Sequence, residues 1–266
     1  MQIMLGPAGI PLGSSGGVIE GIKYVNKIGL QAMEIEFVRS IYMSNELAKR
    51  VGEVAGKEKI ALSIHAPYYI NLCNPEKLEA SKKRIIDSCE RAFHLGARIV
   101  VFHPGYYSSL SKQEAFECVL NACKEISEEI DKEVFLGLET TGKSSQFGTL
   151  EEIIKICKKI RQCRPVIDFA HVYARNNGKI DYNKIFDEIS NFDFIHAHFS
   201  GIEFNEKGEK RHLQISGSKP DFKELARVIL KRRIKEITII SESPLLEKDA
   251  IIMKKCFEGL GYNFKK

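Results

Sequence analysis

The chain has 266 residues, 44% of them apolar and 28% charged, with no tryptophan and a mean hydropathy of −0.18. That length supports one large domain with a sizeable core, and no apolar run approaches the roughly 20 residues of a membrane helix. The 40 basic and 35 acidic residues leave a formal net charge of +5, which permits a nucleic-acid or phosphate partner without requiring one.

The opening segment, Met1 to Pro7, has no basic n-region and no cleavage site, so no secretory signal is expected. The cysteines number seven, an odd count, and form no CxxC pair. That argues against a disulfide framework and a zinc ribbon. Reduced, buried thiols in a cytoplasmic protein are expected instead.

Short runs rich in Ile, Val and Phe recur along the chain. They fall at Gln2–Leu5, Ala32–Phe37, Ala61–His65, Arg98–His103, Val134–Glu139, Pro165–Asp168, Phe194–His198 and Glu236–Glu242. Each is followed by an amphipathic stretch, beginning near Gly17, Asn45, Pro75, Ser111, Thr149, Tyr182, Asp221 and Lys248. Ser111 with Glu114 and Thr149 with Glu152 read as capping boxes. Phe222, Leu225, Val228 and Ile229 form a helical stripe after Asp221. Gly96 is placed to end the helix that begins at Pro75.

Strands buried on both faces are continuously apolar, and strict βα alternation implies a parallel sheet with right-handed crossovers. Eight such units in a chain of this length predict an α/β fold, a (β/α)8 TIM barrel forming a single domain over residues 1–266. The rival is an open doubly wound sheet. No GxGxxG follows the first run, and Gly13-Ser14-Ser15-Gly16-Gly17 lacks the lysine of a P-loop.

The histidines are seven in number. His65, His103 and His198 end predicted strands, as do Glu139, Asp168 and Glu242 on three others. In a parallel barrel these six ends share one rim, where active sites are built. His171 follows Asp168 by three residues and must lie beyond the strand, where the chain has turned. His212 is expected in a polar loop, Asn205 to His212. His196, two residues deeper than His198 on the same face, reads as a barrel-layer residue, and His94 as a helix histidine.

Three or more carboxylates gathered in a low-dielectric mouth repel one another unless cations are present. Imidazole mixed with carboxylate suits zinc, and also manganese or iron, whereas an all-oxygen site would suit magnesium or calcium. No cysteine ends a predicted strand, so a thiolate zinc site is not expected. The donors exceed four, which implies more than one ion.

The strings at these positions resemble the endonuclease IV family of apurinic/apyrimidinic endonucleases. They are His65-Ala66-Pro67-Tyr68-Tyr69-Ile70-Asn71, His103-Pro104-Gly105, Glu139-Thr140, Asp168-Phe169-Ala170-His171 and Glu242-Ser243-Pro244. The resemblance implies a zinc-dependent DNA repair hydrolase that cleaves double-stranded DNA on the 5′ side of an abasic site, in base excision repair. It implies two or three Zn2+ ions, with Mn2+ an alternative. His65 and His103 would hold one, and Glu139, the central catalytic residue, would bridge it to a second. Asp168, His198 and Glu242 would complete the second, and His171 and His212 would hold a third. A hydroxide between the bridged pair would attack the phosphorus. Tyr68 would contact DNA at the damaged nucleotide. No protein partner is implied.

The sequence departs from that family at several places. Its strand-seven His-Leu-Asn-Asp reads His198-Phe199-Ser200-Gly201 here. Its Asp-x-His reads Lys210-Arg211-His212, with Glu209 the nearest carboxylate. Gly142 comes one residue early, and the stretch Val38 to Tyr42 is shorter than the family's DNA-contacting loop. Lys207, Lys210, Arg211 and Lys219 could grip a phosphate backbone or form an ordinary solvated loop.

Two other functions use the same residues. A single-metal sugar isomerase or epimerase of the xylose-isomerase-like barrels needs only Glu139, Asp168, His198 and Glu242. A DNA-damage recogniser without turnover would keep the donors and lose the chemistry. The surplus histidines favour the nuclease over the epimerase, and an intact Glu139 argues against the recogniser.

Overall fold

The computed structural model describes residues 1–264. In chain order the elements begin with β1 (Gln2–Pro7), α1 (Val18–Lys27), β2 (Ala32–Glu36), α2 (Asn45–Glu58), β3 (Ala61–His65), α3 (Pro75–Leu95) and β4 (Ile99–Phe102). Next come β5 (Gly105–Tyr106), α4 (Lys112–Glu129), β6 (Phe135–Glu139), β7 (Gln146–Phe147), α5 (Leu150–Lys159), β8 (Cys163–Asp168) and α6 (Phe169–Arg175). The last are α7 (Tyr182–Ile189), β9 (Ile195–Phe199), β10 (Gly201–Asn205), β11 (Gly208–Leu213), α8 (Phe222–Lys231), β12 (Glu236–Ser241) and α9 (Glu247–Gly259).

Eight strands form one parallel sheet in the order β1-β12-β9-β8-β6-β4-β3-β2. The ends of that list also meet. Gly9 donates to the Glu34 carbonyl (2.8 Å) and Gln31 to the Leu5 carbonyl (3.0 Å), so β1 and β2 nearly close the barrel. Gly6 makes this approach possible, because a Cβ there would fall 1.8 Å from the Ala32 carbonyl oxygen. The predicted (β/α)8 barrel is the observed fold.

The helices begin where their local signals lie. Ser111 and Thr149 each complete a capping box with Glu114 and Glu152. Gly96 ends α3 in the left-handed conformation (φ 66°). The main apolar core fills the layer between sheet and helices. Smaller clusters fill the barrel itself, one around Ile99, Val101 and Val166, another around Met4, Ala32 and Ile240.

Two features differ from the sequence expectation. The stretch expected as a polar loop around His212 is an antiparallel hairpin, β10 and β11. Cys163 does begin a strand, β8, but at the end opposite the expected donor rim. Among the described residues no helix is long and apolar enough to cross a membrane.

Candidate metal centre

Side chains two apart on a strand share a face. Glu34 and Glu36 on β2, Ser63 and His65 on β3, and His196 and His198 on β9 therefore enter the barrel in successive layers. Val101 then His103, Gly137 then Glu139, and Val166 then Asp168 follow the same parity. The predicted strand-end donors converge at the upper layer, where Glu139, Asp168 and His198 are fully buried.

Glu139 is the hub. Its Oε2 lies 3.2 Å from His65 Nε2 and 2.9 Å from His103 Nε2. Its Oε1 lies 3.0 Å from His198 Nδ1, which is also 3.1 Å from Glu242 Oε1. One group thus joins His65, His103 and Glu139, and a second joins Glu139, Asp168, His198 and Glu242. The His65 Nδ1–H donates to the Ala66 carbonyl (2.9 Å), so Nε2 is the nitrogen turned toward Glu139.

Asp168 caps α6. Its Oδ1 accepts from the His171 backbone N–H (2.7 Å), so the turn expected after this strand is a helix start. Its Oδ2 is buried and has no hydrogen-bond partner among the described residues. The cap brings His171 back over the mouth, beside His212 and Glu242.

His171 and His212 present their Nε2 atoms to each other at 3.0 Å. Each has its Nδ1 against a backbone carbonyl, Thr140 for His171 (2.9 Å) and Glu242 for His212 (3.1 Å). A carbonyl only accepts, so both Nδ1 atoms carry the proton and both Nε2 lone pairs face inward. Either a proton or a cation must lie between them. Glu209 completes this corner, with Oε2 3.5 Å from His171 Nε2 and Oε1 4.0 Å from His212 Nε2.

The hairpin explains how Glu209 reaches that position. Ile202 pairs with His212 and Glu203 with Arg211, but Phe204 pairs with Glu209. Lys210 is the extra residue of a β-bulge. The bulge returns Glu209 to the face of His212, although an offset of three would otherwise place them on opposite faces. Lys210 and Arg211 turn away and both pair with Glu203 (2.6 and 2.8 Å).

The charges are tightly balanced. Burial works to raise the Glu139 carboxyl, but His103 and His198 hold it well below the usual carboxylate range. Burial opposes charge on the His198 ring, yet Glu242, Glu34 and Glu139 push it well above its ordinary value. His171 is likewise raised against burial, chiefly by Asp168. Against the same burial cost, Glu139 and Glu36 push His65 up to about 10. Burial pushes Asp168 up to about 6 and Glu36 up to about 8. Protons on the imidazoles thus stand where bound cations would otherwise balance the carboxylates. Imidazole nitrogens alternating with carboxylate oxygens, orphaned Asp168 Oδ2 and paired inward lone pairs make a donor set that fits zinc or a similar divalent ion.

Glu34, Glu36 and Glu209 were not among the expected site residues. Glu34 and Glu36 had a visible signal, two acids at period two in the otherwise apolar Ala32-Met33-Glu34-Ile35-Glu36. Glu209 stood out only as the nearest carboxylate before His212, and its face could not be read because a bulge resets the spacing. The buried Glu36 Oε1 has no hydrogen-bond partner among the described residues, and Glu36 lines the mouth cleft of about 480 Å3 with Tyr68, His103 and Glu242. Among the described residues no lysine or arginine lines that cleft. A larger cleft, about 670 Å3, lies away from the donors near Thr149, Arg175 and Lys184 and carries no imidazole.

The expected Tyr68 stands on the rim, 61% exposed, with its ring 6.1 Å from that of His65. Tyr69 is exposed beside it, as are Tyr42 after β2 and Tyr106 in β5. The loops after β3 and β4 are tied together by Asn71, whose Oδ1 accepts from Cys73 and Tyr106 N–H groups (3.1 and 3.2 Å). Gly105 (φ 136°) permits this, since a Cβ there would lie 2.2 Å from Asn71 Oδ1. His196 lies one layer down, and His94 in the last turn of α3, half-buried.

The family model described as xylose isomerase-like TIM barrel matches residues 22–255. The chain is 37% identical to an uncharacterized protein of Methanocaldococcus jannaschii over 98% of each. It is 29% identical to a probable endonuclease 4 of Mycoplasma mobile over 72% of each. Endonuclease IV from Thermus thermophilus superposes with a TM-score of 0.71 at 20% identity, covering 95% of this chain and 98% of that one. A D-tagatose 3-epimerase-like protein superposes with a TM-score of 0.74 at 21% identity, covering 97% and 96%. At those identities the two structures establish the barrel and leave the reaction open.

Proposed function

We propose, starting from the fact that the chain belongs to the xylose isomerase-like TIM barrel family, that it is a zinc-dependent endonuclease of the endonuclease IV type. Its substrate is double-stranded DNA cut 5′ to an abasic site, in cytoplasmic base excision repair. The observation that carries this reading is the surplus of donors. The group of Glu139, Asp168, His198 and Glu242 serves one ion, and His65 with His103 on one side and His171 with His212 on the other bring further imidazoles beside it.

His65, His103 and Glu139 would hold one ion, and Glu139, Asp168, His198 and Glu242 a second. His171, His212 and Glu209 would hold a third, with Glu209 in place of the family's aspartate. When bound, such ions supply Lewis acidity toward a phosphoryl oxygen and a water nucleophile ionised near neutral pH. Glu139 belongs to both of the first two groups and would be shared between them. The backbone carbonyls of Ala66, Thr140 and Glu242 hold the proton on the outer nitrogen of His65, His171 and His212, so that the inner nitrogen stays free. Glu209 and Glu242 line the cleft, and without cations they would repel a phosphodiester. Tyr68, with the exposed Tyr69 and Tyr106 beside it, offers a ring face to stack at the damaged nucleotide.

A single-metal sugar epimerase is the second reading, favoured by the self-sufficient group of Glu139, Asp168, His198 and Glu242. One experiment separates the two. Purified protein is analysed for metal and assayed on an abasic duplex with and without chelator. Two or three zinc ions per chain and chelator-sensitive nicking support the endonuclease. One manganese ion and no nicking support the epimerase.

A further inference from the structure

We propose that Glu34 is the positioning residue of the second metal position: it accepts the Nε2 proton of His198 and so leaves Nδ1 as the ligand atom. This rests on the reading above that His198 holds a metal. Glu34 is fully buried on β2, three strands from β9 around the nearly closed barrel. Its Oε2 accepts from Ser63 Oγ (2.7 Å) and from His196 Nε2 (3.0 Å). Its Oε1 lies 2.9 Å from His198 Nε2, an ion-pair contact whose angle falls short of a hydrogen bond, and among the described residues neither atom has any other hydrogen-bond partner. The other face of the His198 ring is committed, since Nδ1 points between Glu139 Oε1 and Glu242 Oε1.

The chemistry follows from proton counting. A neutral imidazole carries one N–H. If Nδ1 gives its lone pair to a cation, the proton resides on Nε2. That N–H is buried in the barrel, where an unpartnered donor is destabilising. Glu34 Oε1 is the acceptor within reach. A carboxylate behind a ligating histidine fixes its tautomer and orientation and strengthens its donation. Ser63 and His196 hold the other carboxylate oxygen, so Glu34 does not swing into the metal position itself. Glu34 therefore acts from one layer below the donors and touches no substrate.

The test is zinc affinity by competition with a chromophoric chelator, on folded protein, for Glu34→Ala, Glu34→Gln and His196→Gln. Wild type should bind two or three equivalents. In Glu34→Ala one equivalent should weaken roughly 10- to 100-fold, and Glu34→Gln should fall between that and wild type. His196→Gln disturbs the same buried ladder but leaves the Oε1 contact, and its affinities should stay within about threefold of wild type. In metal-free protein, long-range 1H–15N spectra should show the His198 pattern change in both Glu34 variants and persist in His196→Gln. Should Glu34→Ala not fold, Glu34→Gln carries the comparison. Equal zinc affinity in wild type and the Glu34 variants overturns the proposal alone, as does an equal loss in His196→Gln. A wild-type protein that binds no zinc overturns the metal-centre reading and this proposal with it.

Discussion

The Nε2 atoms of His171 and His212 face each other at 3.0 Å while each ring gives its Nδ1 proton to a backbone carbonyl. Two inward lone pairs at that separation require a proton or a cation between them. The carboxylate beside them, Glu209, is on this face only because Lys210 bulges out of the hairpin.

Glu209→Ala should therefore remove one zinc per chain and leave the other equivalents bound. Nicking should fall roughly 10- to 100-fold, the cost typical of a lost support to a metal site. Lys210→Ala keeps the extra residue and should keep the zinc, whereas deleting Lys210 should mimic Glu209→Ala. Zinc content by atomic emission, with nicking rates on the same preparations, checks this.

Glu139→Ala removes the carboxylate shared by the first two positions. Zinc content should drop by at least one equivalent. Nicking of an abasic duplex should fall by on the order of 10²–10³-fold or more, since the charge stabilisation at the reacting phosphate goes with the ions. Unchanged nicking would rule out a bridged pair.

The metal-free protein should lose stability as pH rises from about 6.5 to 10. His65 is raised to about 10 by Glu139 and Glu36 against its burial, so its stabilisation is present below its unfolded value and lost as pH climbs through 10. Glu36, raised to about 8 by burial, adds to the loss in the same direction as it ionises. Zinc should reverse or flatten the trend, because bound cations replace those protons. Urea midpoints at pH 7 and pH 9.5, with chelator and with zinc, provide the measurement. A metal-free midpoint that rises with pH would contradict it.

Binding to an abasic duplex should weaken steeply with salt, because phosphate contacts release counterions. Tyr68→Ala should cost about 1–3 kcal/mol, the range for one lost stacking platform, and leave zinc content unchanged. Fluorescence anisotropy across a salt series reads both. Affinity indifferent to salt would indicate a ligand other than a nucleic-acid backbone.

The barrel was legible in the amino-acid order because its signals are local. Caps such as Ser111 with Glu114 act within one turn of backbone, and strands buried on both faces, such as Ile99 to Phe102, must be apolar throughout. The strand-end donors were legible for a related reason. Parallel strands all finish at one rim, so His65, His103, Glu139, Asp168, His198 and Glu242 needed no three-dimensional information to be grouped.

Tertiary structure alone decided which atoms of these residues meet. Glu34 and His196 are 162 positions apart, and only the curvature that nearly closes β1 on β2 brings them within 3.0 Å. The bulge at Lys210 put Glu209 on the face of His212, and the cap at Asp168 folded His171 back over the mouth. Residue spacing carries the periodicity of a strand or helix. It carries neither the one-residue irregularities that reset that periodicity nor the closure that sets one strand's side chains against another's.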